Sequence, residues 1–244
     1  MKFRLLNADE IDVRVSQIDK TWCTLLLYKD ARVDQNILDE TVGVMNWQKR
    51  YVRDNANCIV GIWDEDKKQW VEKEDTGTES FNEAEKGLAS DSFKRACFNW
   101  GIGRELYTAP SIFIFPRKNM TRTKEKEDEE PKEFYLNEKT NKYTTKTRFY
   151  VDYIGYDEKN NINDLVIRDH KNNIRFIQLS EKAEKERNKK LLEFKKLIEI
   201  NEDKNEKFDR KKLYEYFKAE NDTQIRWNDL DKAIQMLKNI KESE

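Results

Sequence analysis

The alternation of apolar and polar positions divides the chain into a sheet-and-helix front and a helical tail. TWCTLLLY (21–28) is a short apolar run, the pattern of a buried strand. DARVDQNILDETVG follows, with Val33, Ile37, Leu38 and Val42 at helical spacing and Gly43 as a stop. WQKRYVR (47–53), NCIVGIWD (57–64) and QWVEKED (69–75) read as three strands, and the short separators DNAN and EDKK join them in an antiparallel meander. A long helix is predicted from about Asn82 to Trp100, with Leu88, Ala89, Ser92, Phe93, Ala96 and Trp100 on the face that covers a sheet. Lys94 lies on the opposite side, Arg95 at the boundary and Phe98 between them. Gly101 and Gly103 then break the helix, and PSIFIF (110–115) is a short apolar strand. The opening LNADEIDVRVSQI gives only a weak amphipathic signal.

Residues 117–133, RKNMTRTKEKEDEEPKE, have no apolar period and read as a mobile loop. Residues 147–179 alternate well around two Asn-rich turns, which predicts three short strands. Residues 181–190 are a charged linker or helix start. Beyond them, LLEFKKLIEI, LYEYF and LDKAIQMLKNI carry helical spacing, and Leu191, Phe194, Leu197, Ile198, Leu213, Phe217, Trp227, Leu230, Ile234 and Leu237 suit a small three-helix core separate from the sheet. The fold class expected is α+β: a β-β-β-α core, its antiparallel sheet packed on the long helix, plus a C-terminal helical region. The domains expected are 1–180 and 181–244.

Composition narrows the partners. Charged residues make up 39% of the 244, yet 47 Lys and Arg nearly cancel 48 Asp and Glu, so an anionic partner must be held by a local patch. Three cysteines without metal or redox spacing fit a reducing, cytoplasmic setting. No apolar run reaches the roughly 18–20 residues of a membrane helix, so no membrane association is expected. A phosphate-binding G-x-x-x-x-G-K-[ST] loop is missing, which argues against ATP-driven strand exchange. The single histidine, His170, falls in an Asn-rich turn, and Asp64, Glu65 and Asp66 fall between two strands, where a solvated turn is the simpler reading than a metal site. Neither catalytic residues nor a metal or cofactor are expected.

Cations suited to phosphate are better supplied. Arg32 opens a helix, where backbone amides also favour anions; Lys94 and Arg95 are adjacent on the long helix; Lys49, Arg50 and Arg53 decorate one strand; and Arg104 follows the second glycine. Each can equally be an ordinary surface charge. Phe98 and Tyr28 are candidates for base stacking, which holds single strands at about 1–3 kcal/mol per base; the alternative for Phe98 is packing against a neighbouring element or subunit. Trp47 and Trp100 read as core.

The stretch KGLASDSFKRACFNWGIGRELY (86–107) closely resembles the signature of Sak-type phage single-strand annealing proteins, relatives of the eukaryotic Rad-fifty-two recombination mediators. YKDARVDQNILDETVGVMNWQ (28–48) is similar to the family's earlier segment, and the likeness runs from about residue 10 to 115, loosely on through 147–179, and stops before the tail. The resemblance implies ATP-independent binding and annealing of single-stranded DNA in recombination and repair, in a groove of a homo-oligomeric ring or filament. It puts Arg32, Lys86, Lys94 and Arg95 at the groove's backbone-holding positions, with Arg104 returned to the same region. Eukaryotic members carry a basic residue where this chain has Phe98, and many phage relatives a lysine where it has Asn99. Annealing proteins often recruit a single-stranded-DNA-binding protein through such tails, so 181–244 is a partner-docking candidate; a helical stabiliser or an oligomerisation element are the alternatives. A single-strand or DNA-end protector of the same fold, and more remotely a metal-dependent nuclease, are the competing functions.

Overall fold

The computed structural model describes residues 1–78, 84–117 and 133–240, with backbone only at 84–86. In chain order the elements are β1 (Asp12–Ile18), β2 (Cys23–Tyr28), α1 (Ala31–Val42), β3 (Trp47–Val52), β4 (Asn57–Asp64), β5 (Gln69–Thr76), α2 (Ala84–Trp100), β6 (Ile112–Ile114), β7 (Phe134–Asn137), β8 (Lys142–Thr145), β9 (Phe149–Tyr156), β10 (Ile162–Asp169), β11 (Ile174–Gln178), α3 (Glu181–Lys204), α4 (Arg210–Tyr216) and α5 (Trp227–Lys238). The class is mixed α+β with antiparallel sheets, as the patterning predicts. The loop expected at 117–133 falls mostly outside the described residues. The chain forms two compact units, one of residues 1–12 and 28–109, the other of 13–27 and 110 onward.

The first unit is built on the sheet β3-β4-β5. Trp47 pairs with Ile62 and Tyr51 with Cys58, while Val60 pairs with Lys73 and Ile62 with Val71. Alternation therefore puts Trp47, Lys49 and Tyr51, Cys58, Val60 and Ile62, and Val71, Lys73 and Asp75 on one face. Helix α2 packs on β4 and β5, and the indole of Trp100 donates to the Val60 carbonyl at 3.1 Å. The buried positions of α2 are Ser92, Phe93, Ala96 and Cys97, with Leu88, Ala89 and Trp100 half-buried. Cys97 joins the buried set because α1 packs along a second flank of the helix, and that burial pushes its thiol well above the usual range. Helix α1 starts where the Asp30 carboxylate accepts the Arg32 N–H at 2.8 Å, and ends at Gly43, whose φ is 84°.

The second unit carries the sheet β11-β10-β9-β1-β2-β6. Its edges β6 and β11 approach each other, and Arg175 of β11 donates to the Phe115 carbonyl at 2.8 Å and pairs with Glu133. The two Asn-rich turns share one construction. Asp157 accepts from the N–H groups of Lys159 and Asn161, Asp169 from those of Lys171 and Asn173, and Asn160 and Asn172 take φ values of 64° and 61°. β7 and β8 form a separate hairpin that the pattern did not predict.

The tail is helical as its spacing predicts, with Phe194, Ile198, Leu213, Phe217, Leu230, Ile234 and Leu237 in its core. It is not separate from the sheet. Arg168 of β10, almost wholly buried, donates to Asp152 (2.6 Å), to the carbonyl of Asn172 (2.6 Å) and to the tail carbonyls of Thr223 (2.8 Å) and Ile225 (3.0 Å). Asp152 in turn accepts the Trp227 N–H, capping α5 from the sheet, and the Trp227 ring stacks on Tyr153 at 3.9 Å. A buried Asp–Arg pair on the strands needs these carbonyls to complete its hydrogen bonding, so sheet and tail helices share one polar core.

Candidate nucleic-acid interface

The chain from β5 through α2 to the turn at 104–108 carries half of the candidate cations: Lys86, Lys94, Arg95 and Arg104. Successive residues on a helix point about 100° apart, and Lys94 and Arg95 accordingly diverge. Lys94 acts on Asp30 and Asp34 of the α1 N-terminus. Arg95 leans the other way, its Nε 3.4 Å from Asp75 on β5. Arg32 is exposed, with 82% of its side chain accessible. It folds back on Asp30 (2.9 and 3.2 Å), a carboxylate whose pKa Lys94 also helps to lower. The α1 N-terminus thus already holds an anion. An exposed pair of this kind is weak, and a phosphate can displace it at little cost.

Arg104 has a defined task within the fold. Its Nε and Nη2 donate to the carbonyl of Phe98 at 3.1 and 2.7 Å, and Nη2 reaches the Asn99 carbonyl at 3.2 Å. Lys73, which faces α2 from β5, donates to the same Asn99 carbonyl at 2.8 Å, and its ammonium lies 4.4 Å from the centroid of Trp100. Two cations therefore complement the negative end of α2. Arg104 is at the same time exposed, so its charge reaches the surface beside Phe98.

Phe98 is held from two sides. The Lys29 ammonium sits 4.3 Å from its centroid, and Tyr107 meets it edge-to-face at 5.1 Å and 66°. Lys29 is only 1% exposed and pairs with the fully buried Asp34. Desolvation outweighs that neighbour and pushes the Asp34 carboxyl up to about 6, and among the described residues no nitrogen or oxygen donor reaches its Oδ2. Gly103 takes a φ of 73°, and a Cβ there would stand 2.2 Å from Cε of Lys29. The second glycine is required by this buried lysine as well as by the left-handed turn.

The remaining candidates are dispersed. Lys49 lies on the helix-covered face of the sheet with its ammonium 4.4 Å from the Phe93 centroid, whereas Arg50 lies on the other face and pairs with Glu72 at 2.9 Å. Arg53 sits in the following turn with a φ of 53°. Tyr28 is partly exposed at the end of β2, and the Lys86 side chain lies outside the described residues. Asp64 and Glu65 pair with Lys67 and Lys68 in their turn, and the described residues contain no group of three His, Cys, Asp or Glu able to hold a metal ion. No helix among them is long and apolar enough to cross a membrane.

Lys29, Asp34, Lys73 and Tyr107 were not singled out by sequence. Lys73 left a signal: in QWVEKED it alternates with Val71 and Asp75 on the inward face. Lys29 and Asp34 left none, since their burial is imposed by α2 and the glycine turn.

A family model described as Rad52/22 family double-strand break repair protein matches residues 60–127, a little over a quarter of the chain, running from mid-β4 across α2 and past β6. That match supports the Rad-fifty-two superfamily to which the 86–107 stretch is similar, without separating the Sak-type subtype from others. No curated protein and no solved structure matches the chain.

Proposed function

We propose that this chain binds single-stranded DNA and anneals complementary strands in recombination and double-strand break repair, without ATP, as a Sak-type member of the Rad-fifty-two superfamily acting as a homo-oligomer. The observation that carries the reading is that the helix inside the matched segment 60–127 bears Lys94 and Arg95 at partly exposed positions and is followed by the exposed Arg104. On this reading β3–β5 with α2 form the β-β-β-α annealing core. The cations neutralise phosphate repulsion between two strands, base edges stay free to test pairing, and pairing supplies the net free energy. Weak contacts repeated around an oligomer add through effective concentration. Arg32, Lys94, Arg95 and Arg104 are the phosphate contacts, and Lys86 is assigned with them from the resemblance alone.

Replacing Lys94 and Arg95 together by alanine removes two phosphate contacts. The slope of log affinity against log salt for a single-stranded oligonucleotide should then fall by about 1.4 in magnitude. An unchanged slope in a correctly folded double variant removes both residues from the interface.

For residues 181–244 we add recruitment of a single-stranded-DNA-binding protein, supported by the exposed Leu192 and Ile200 on α3. The Leu192→Glu/Ile200→Glu variant should lose co-elution with that partner and keep annealing of naked DNA; full co-elution rejects the surface.

A further inference from the structure

Tyr107 stands out among the exposed aromatics of the first unit. It is 68% exposed, yet the turn that bears it is fixed at several points. The Leu106 N–H donates to the Gly103 carbonyl at 3.2 Å and the Ala109 N–H to the Leu106 carbonyl at 3.3 Å. Thr108 Oγ1 donates to the Glu105 carbonyl at 2.7 Å, and the buried Glu105 carboxylate accepts the Leu6 N–H at 2.8 Å. Beneath the ring, Phe98 packs edge-to-face and is itself backed by the buried Lys29, whose stem is locked against Gly103. A large ring is thus held on a rigid mount, open to solvent, three residues from the exposed Arg104 and beside the helix that carries Lys94 and Arg95.

We propose that Tyr107 is the stacking platform for a nucleobase of the bound strand, and that Phe98 serves as its backing. This rests on the single-strand reading above and assigns it a base-contacting residue. Phe98 is poorly placed to stack, because the Lys29 ammonium and the Tyr107 ring already engage it. Tyr107 shares only the Phe98 contact, carries no cation over its ring among the described residues, and is 68% exposed. Stacking suits annealing because it uses the π-face present on every base and leaves the pairing edge free, while the neighbouring guanidinium takes the phosphate.

The test compares two probes with identical phosphates, a labelled oligothymidine and an abasic oligonucleotide of the same length. Both are titrated into the full-length chain and its Tyr107→Ala and Tyr107→Trp variants, with oligomeric state followed by light scattering. Tyr107→Ala should weaken oligothymidine binding about 5- to 150-fold, leave abasic binding unchanged, and be rescued by Tyr107→Trp. Equal loss on both probes, no loss on oligothymidine, or a change of oligomeric state that accounts for the loss would overturn the assignment. A wild-type chain that binds both probes equally, with strong salt dependence, rejects Tyr107 but keeps the single-strand reading; one that binds neither rejects both.

Discussion

Replacing Arg168 by methionine tests how sheet and tail are joined. The guanidinium is all but inaccessible and serves four acceptors: the Asp152 carboxylate and the carbonyls of Asn172, Thr223 and Ile225. Methionine keeps much of the aliphatic bulk and removes every donor. Breaking a buried ion pair by deleting one partner costs about 3–5 kcal/mol. Each carbonyl left without a donor adds about 1–3 kcal/mol where water cannot enter. Against this, Asp152 keeps the Trp227 N–H at 3.1 Å and has Arg226 Nε 3.6 Å away, so it is not stripped bare. With Asp152 part-compensated and each carbonyl at the low end of its cost, the net expectation is about 4–6 kcal/mol, a large part of the roughly 5–15 kcal/mol that holds a domain together. Urea unfolding at neutral pH, followed by circular dichroism, reads this as a lowered midpoint. The companion Arg168→Met/Asp152→Leu, which removes both charges, should recover part of the loss. A loss below about 1 kcal/mol for Arg168→Met would refute the claim that this network ties the tail to the sheet. The same network makes a chain ending at residue 180 a poor test of tail function, since it deletes two of the four acceptors along with the Trp227–Tyr153 stack.

Two further outcomes concern the ground beneath the proposed interface. Gly103→Ala should cost about 2 kcal/mol more in urea unfolding than Gly101→Ala, because both force an L-residue to positive φ but only the first drives a methyl into Lys29; equal costs would show that Lys29 yields freely. For Asp34, the folded protein holds a proton up to about pH 6 while the ordinary value is 3.8, so between these limits the native state binds more protons than the unfolded one. Stability from this group is therefore greatest in acid and falls by about 2–3 kcal/mol as pH rises through the window; the stability difference between wild type and Asp34→Asn should show that fall, and a pH-independent difference would contradict it.

Much of this architecture was legible where local pattern and burial agree. The meander β3–β5 follows from its alternation, and α1 from four apolar positions between an Asp cap and a glycine. The repeated Asp-x-Lys-Asn-Asn of residues 157–161 and 169–173 announces two turns whose asparagines accept left-handed backbone. Legibility failed where tertiary contact overrides composition. In β1, Val13 and Val15 alternate with exposed polar residues, but the exposed Ser16-Gln17 pair breaks the period before Ile18. The β7–β8 hairpin is two four-residue strands in a charged context. At the candidate interface, sequence pointed correctly to a helix with a face on the sheet, and could not tell that α1 covers a second flank or that Arg95 turns back to Asp75. Nor could it tell that Arg104 caps the helix preceding it, since carbonyl acceptors have no sequence signature.

The most direct test of the account is the rate at which two complementary labelled oligonucleotides form a duplex with the full-length chain, without ATP or divalent metal, at low and at moderate salt. A cationic groove that anneals should accelerate duplex formation over the protein-free rate, and the acceleration should fade as salt rises. Tight binding without acceleration would contradict annealing and identify a single-strand protector.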